Sequence, residues 1–237
     1  MSGAPLLAVR DVVRSYAALR PLRMQSLTIV PGQIVSIAGL DAAAAEVFVG
    51  LLTGALLPDA GEVELFGLST RTVADSDAWL KMLDGVGILT DRAVLIAQFT
   101  VEQNIAMPFT LEIDPVAPDL KPQVAALARE VGLPEAQLTA RVAEAPAHVL
   151  GRVRLARALA LGPSLVLAEH PSATLAREDV KAFAHDLSRV ARARGIAVLA
   201  MTADSLFAGA LGGDQLALEP ATGALRAPGL WNKLLGR

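Results

Sequence analysis

Few side chains in this sequence are suited to chemistry, and their placement narrows what that chemistry is. Cysteine is absent, which removes disulfides, thiolate metal sites and cysteine nucleophiles together. The three histidines, His148, His170 and His185, stand at unrelated spacings that match no zinc-ligand pattern, so no metal site is expected. His170 closes the apolar run Leu165–Ala168 and has Glu169 beside it. An imidazole there could act as a base near neutral pH, or it could bond to backbone at the strand's end. The second context is Gln33–Gly54: a β-rich run, Gly39, a short loop and an alanine-rich helix. That order is where a phosphate-binding loop is sought, because a loop leading into a helix N-terminus offers backbone N–H groups to an anion.

The elements that must position these residues follow from periodicity. Leu6–Val12 and Met24–Val30 alternate apolar and polar residues as half-buried strands do. A turn at Pro31-Gly32 precedes the buried strand Gln33–Ala38, and a helix with Asp41 as N-cap follows Gly39. Pro58–Gly61 is a turn and Glu62–Phe66 a strand ending at Gly67. From Ala93 to Leu150 the sequence reads as mostly helical, broken between Pro108 and Pro122. Arg152–Leu161 is a helix stopped by Gly162-Pro163, Leu165–Ala168 a strand, Glu178–Arg192 a helix and Ile196–Met201 a strand. Gln215–Leu218 with Gly223–Leu225 forms a closing hairpin. Strands alternating with helices predict an α/β fold with a largely parallel sheet.

Composition sets the outer limits. The 237 residues suit one domain with a substantial core. Hydrophobic residues reach 53%, much of it alanine, yet no uncharged apolar run attains the roughly 18–20 residues of a membrane span. The candidates Ala42–Leu57 and Leu155–Leu167 are interrupted by Glu46, Arg157 and Pro163. The start MSGAPLLAVRD has neither a basic segment nor a long apolar one, as a secretory signal would. The expectation is a cytoplasmic chain docked on a membrane partner. A net charge of −3, with one Tyr and two Trp, argues against a nucleic-acid surface.

Four collinear segments then resemble the ATP-binding subunits of ABC transporters. PGQIVSIAGLDAAAAEVFVGLLTGALLPDAGEVELFG matches that family's phosphate-loop frame without a gap. FTVEQNIAMPF, GRVRLARALALGPSLVLAEHPSATL and AVLAMTADSLFAGALGGDQLALEPATGAL follow in the family's order. The resemblance implies an ABC-type P-loop NTPase fold: a RecA-like mixed sheet core, an antiparallel β subdomain and a helical subdomain. It divides the chain into 1–90 (β subdomain and phosphate loop), 91–150 (helical subdomain) and 151–237 (second acidic motif and switch region).

Aligned to the family, nearly every nucleotide-handling position is altered. Gly39 is kept, but Ala42 and Ala44 replace glycines, Ala45 the lysine, and Glu46 and Val47 the Ser-Thr pair. Alanine favours helix over glycine by about 1 kcal/mol per residue, so the loop should wind into the helix's first turn. Asp41 and Glu46 should place two carboxylates near that helix N-terminus and offset the dipole that attracts phosphate. Losing the lysine contact alone would cost roughly 1.5–3 kcal/mol of binding. Glu169 takes the place of the metal-positioning Asp and His170 that of the catalytic glutamate. The signature loop becomes Ala145-Pro146-Ala147-His148-Val149, without its glycines. Asp91 replaces the glutamine that senses the γ-phosphate, Ala176 the Asp after the second acidic motif, and Ala203 the switch histidine. Tyr16 also matches, standing where the family's aromatic stacks on adenine, a place that a half-buried packing role would suit equally.

These readings leave three functions open. The first is a non-catalytic subunit, scaffold or regulator of an ABC transporter, with no cofactor expected. It would dock a transmembrane permease through the helical subdomain, on the inner face of the membrane, and pair with a second ABC ATPase or with itself. The second is a weak but genuine ATPase using ATP and Mg²⁺ through Glu169 and His170. The third is an ABC-fold interaction module unrelated to transport. FTVEQNIAMPF has the flavour of lipid- and lipoprotein-moving branches of the family.

Overall fold

The computed structural model describes residues 4–73 and 75–227. Strands β1 (Leu7–Arg14) and β2 (Leu22–Ile29) pair antiparallel, and the burial of β2 alternates as its sequence does. Strand β3 (Ile34–Ala38) leads through Gly39 into helix α1 (Ala42–Leu52), followed by β4 (Ala60–Leu65) and the short β5 (Leu68–Ser69). Helix α2 (Ser76–Leu83) and strand β6 (Val86–Thr90) come next. Helices α3 (Val101–Ala106), α4 (Lys121–Glu130) and α5 (Ala147–Leu159) form a helical layer. Then β7 (Leu165–Glu169), α6 (Val180–Arg194), β8 (Ala197–Met201), α7 (Ser205–Leu211), β9 (Asp214–Glu219) and β10 (Ala224–Arg226) follow.

Two sheets result. One is antiparallel in the order β2-β1-β4-β5. The other runs β10-β9-β3-β8-β7-β6, parallel except for β10. The central strands β3, β7 and β8 are buried along almost their whole length, as a parallel sheet covered on both faces requires. Their side chains alternate between two cores. Val35, Ile37, Leu165, Leu167, Leu199 and Met201 join the core under α1 and the antiparallel sheet. Ile34, Val166, Ala168, Val198 and Ala200 join the core built with α5 and α6.

Several expectations shift. Arg152–Leu161 is corrected to a helix over Ala147–Leu159 that starts directly after Pro146, because a proline restricts the residues before it but not the helix it opens. The span 93–150 is less helical than its pattern reads. Residues 91–100 and 107–120 are largely irregular, and Pro122 lies in the first turn of α4 instead of ending a break. Helix α2 and strand β6 had no counterpart in the sequence reading. Among the described residues no helix is long and apolar enough to cross a membrane.

Candidate functional site

Most of the sequence-selected positions, though not 145–149, converge at one end of the parallel sheet. Gly39 and Asp41 follow β3, Asp91 follows β6, His170 follows β7 and Ala203 follows β8. Because β3, β8, β7 and β6 are neighbours in one sheet, their carboxyl ends open onto a shared crevice, where ligands of open α/β sheets bind.

Helix α1 begins at Ala42, so the alanines form its first turn. Asp41 caps it, its Oδ1 accepting from the Ala44 N–H at 2.8 Å, which takes one of the donors a helix terminus leaves free. Ala44 and Ala45 are buried, Ala45 completely. Val47 is half-buried and packs against the core beneath α1. Glu46 requires a correction: no acidic residue lies in the first turn. It stands one turn deeper, and its charge is met by a guanidinium instead of offsetting the dipole.

That guanidinium belongs to Arg92, which the sequence reading missed. Arg92 Nη1 pairs with Glu46 Oε1, and Arg92 Nη2 donates to Glu169 Oε2. Glu169 ends β7 with its side chain only 5% exposed, whereas Arg92 is 43% exposed. A buried carboxylate needs such a partner. The Glu169 hydrogen bond is the main reason the Arg92 guanidinium is held above its ordinary range; burial opposes it, and the charges of Glu169, Glu46 and Asp91 add to it. Arg92 was detectable only as the lone basic residue beside Asp91, and nothing in the family frame marks that position. The three residues border a cavity of about 520 Å³ together with Ala42, Asp91 and His170.

His170 adopts φ of +41°, a region costly for a residue with a side chain. Its backbone N–H donates to the Met201 carbonyl at 2.9 Å. The expected bond from its ring to backbone is corrected, because the buried Nε2 has no partner among the described residues. Beyond β8, Ala203 is exposed and Asp204 organises the turn. Its Oδ1 caps α7 through the Leu206 and Phe207 N–H groups and accepts from Arg177, and its Oδ2 accepts from Ser172 at 2.9 Å. Burial pushes this carboxyl up, but the bonds from Ser172, Phe207, Arg177 and Leu206 outweigh it and hold the group below the usual carboxylate range. Ala176 is exposed in the same loop region.

Tyr16 borders a smaller pocket of about 120 Å³ with Arg23, Gly39, Asp41, Ala44 and Leu218, well under the roughly 300 Å³ at which small-molecule sites begin. Burial raises the Tyr16 hydroxyl, with a further push from the Asp41 charge. Ala145 through Val149 lie at the start of α5, away from these positions in sequence and element. Pro146 is its N-cap and supplies no side-chain bond. His148 Nδ1 lies 3.6 Å from Asp179, and Val149 is buried in the helical layer. Among the described residues no group of three or more His, Cys, Asp or Glu could hold a metal ion.

Beside the crevice, the outer face of β6 opens into an apolar groove of about 450 Å³ lined by Leu80, Ile88, Met107 and Leu161. Arg154 and Arg157 also line it, and burial lowers both guanidinium groups.

No protein-family model matches the chain. It is 30% identical over 205 residues to the lipoprotein-releasing system ATP-binding protein LolD of Myxococcus xanthus (strain DK1622), covering 83% of this chain and 89% of that protein. It is 27% identical over 205 residues to the methionine import ATP-binding protein MetN of Brucella abortus (strain 2308), covering 85% of this chain but 54% of MetN. The chain thus spans about half the length of the MetN relatives it matches. The fold is similar to cbiO1 from Clostridium perfringens, part of the ABC transporter complex cbiONQ, with a TM-score of 0.77 at 17% identity over 99% of this chain and 92% of that one. It is also similar to the dimeric ATP-binding cassette MJ0796 bound to ADP and Pi, with a TM-score of 0.75 at 19% identity over 93% of this chain and 98% of that one.

Proposed function

Because the chain belongs to the ABC transporter ATP-binding protein family, we propose that it is a non-catalytic member, a scaffold or regulator in a membrane transporter complex. The observation that carries this reading is Arg92 clasped between Glu46 and Glu169. In the family those two positions belong to the hydroxyl and the carboxylate that hold Mg²⁺. Here a protein cation stands between them, and Asp41 already takes an N–H at the head of α1. The residues present therefore do not fit a nucleotide with its metal. His170 has no water-activating task in this reading.

The three-part division at 1–90, 91–150 and 151–237 belongs to the same proposal. The permease would dock in the groove beside β6. Its apolar lining with Arg154 and Arg157 complements an apolar segment bearing an acidic residue, and a permease bound there would hold the protein at the inner face of the membrane. A second ABC subunit or a second copy would complete a pair. Each composite site in such a pair takes one phosphate loop and one signature loop, so this chain would leave both sites incomplete.

Titration of the purified chain with fluorescent ATP and Mg²⁺, with phosphate release recorded alone and beside co-purifying subunits, tests the proposal. No saturable binding below millimolar ATP is expected. Micromolar binding with Mg²⁺-dependent turnover by the chain alone would establish the other reading, a weak but genuine ATPase.

A further inference from the structure

Residues 91–96 form an irregular segment between β6 and α3, yet side chains from four elements converge on them. Arg92 reaches Glu46 of α1 and Glu169 of β7. From α5, Arg154 Nε donates to the Ala93 carbonyl at 3.3 Å and Arg157 Nη1 to the Val94 carbonyl at 2.6 Å. From α3, the fully buried Asn104 accepts from the Ile96 N–H at 2.8 Å and donates to the Ile96 carbonyl at 3.1 Å. Arg92 is the residue of this set that reaches the crevice at the strand ends; the other three, Asn104, Arg154 and Arg157, all come from the helical layer. Ala93, one residue on, lines both the groove beside β6 and the region next to Thr90 and Arg92.

We propose that Arg92 is a positioning residue whose bridge to Glu46 and Glu169 fixes the 91–96 segment, so that the groove beside β6 is preformed for its partner without any nucleotide. The inference rests on the non-catalytic reading for what the groove binds, but the pinning itself is a property of the nucleotide-free chain. A guanidinium tied to a buried carboxylate on one side and an exposed one on the other anchors the segment to both α1 and β7. The neighbouring bonds from Arg154 and Arg157 then hold it against α5. A preformed surface binds without the ordering cost that a mobile one carries.

Hydrogen exchange on the full chain tests this directly. The reporters are the N–H groups of Arg92, Ala93, Ile96 and Phe99, each hydrogen-bonded within or beside the segment. Arg92→Met should raise exchange in a 91–99 peptide by about tenfold or more, as local opening becomes cheaper, with β8 protection unchanged. Glu46→Gln, at an exposed side chain that does not threaten folding, should give a smaller increase confined to the same peptide. Unchanged 91–99 exchange in Arg92→Met with β8 still protected overturns the proposal. So does unchanged exchange in Glu46→Gln, should Arg92→Met fail to fold. The same measurement on the unaltered chain with and without Mg-ATP separates the two readings. Protection gained at 39–46 with Mg-ATP, together with phosphate release, defeats the non-catalytic function, whereas the lock stands or falls on the variants in nucleotide-free buffer.

Discussion

Gly39 lies directly against Leu218: a Cβ added to Gly39 would stand 2.7 Å from the Leu218 carbonyl oxygen, at a φ of +96°. Both facts arise where the end of β3 passes β9, with which it pairs in parallel. The one glycine retained in the loop between β3 and α1 is thus required by the sheet, whatever the loop binds. Gly39→Ala should destabilise the protein by about 2 kcal/mol or more, combining a positive-φ cost with a backbone clash. Urea denaturation would read the loss, and a midpoint within error of the unaltered chain would contradict it.

Removing Arg92 leaves the buried Glu169 without its partner. Arg92→Ala should lower stability by about 1–2 kcal/mol, less than the 3–5 kcal/mol of a fully buried pair because water reaches the guanidinium. The double variant Arg92→Ala with Glu169→Gln should recover part of that loss, since the charge no longer needs compensation. Thermal unfolding of the set checks both expectations; a double variant less stable than Arg92→Ala alone would count against the pairing.

Restoring the lysine of the phosphate-loop frame should not restore nucleotide binding. In Ala45→Lys, the new side chain starts from a fully buried position on α1. Asp41 still caps the helix, and Arg92 still stands between Glu46 and Glu169. Fluorescent ATP with Mg²⁺ should show no saturation below millimolar concentration, together with a destabilised fold from the buried ammonium.

Acid should act partly through Asp204. Because its folded-state carboxyl is held below the ordinary range near pH 4, its charged form stabilises the fold. That contribution is complete above about pH 4 and is lost as the pH falls through the lower, folded value. Asp204→Asn keeps an oxygen to accept from the α7 N–H groups but carries no charge. Chemical denaturation between pH 6 and 2.5 should therefore show a shallower decline for Asp204→Asn than for the unaltered chain. Asp59 and Glu64, also held low, contribute equally to both and cancel in the difference.

The sheet was legible because its strands carry local signals. Leu165–Ala168 and Ile196–Met201 are continuous apolar runs bounded by Gly-Pro and Gly, and the alternation of Met24–Val30 matches the observed burial of β2. Asp41 was readable as a cap because capping is a matter of adjacent residues. Arg92 was not, since its partners lie 46 and 77 positions away and no local pattern announces a long-range ion pair. Likewise β6 is five residues at a sheet edge whose partner, β7, is far along the chain. The orphaned ring nitrogen of His170 was invisible for a further reason: hydrogen-bond satisfaction depends on what the neighbouring strand β8 places beside it, not on residue type. The stretch 93–100 reads as helical from its pattern, but side-chain bonds from Asn104 to Ile96 and Thr100 hold its backbone in place of a periodic ladder.

The cavity at the strand ends has one more consequence, in its salt response. Glu46, Asp91 and Glu169 border it against the single guanidinium of Arg92, so fixed negative charge predominates there. Polyanions approaching the crevice meet repulsion that mobile ions screen over about 8 Å at physiological ionic strength. Contact with phosphate-bearing solutes should therefore be weakest in dilute buffer and rise as salt is added, opposite to the behaviour of a basic phosphate-binding loop.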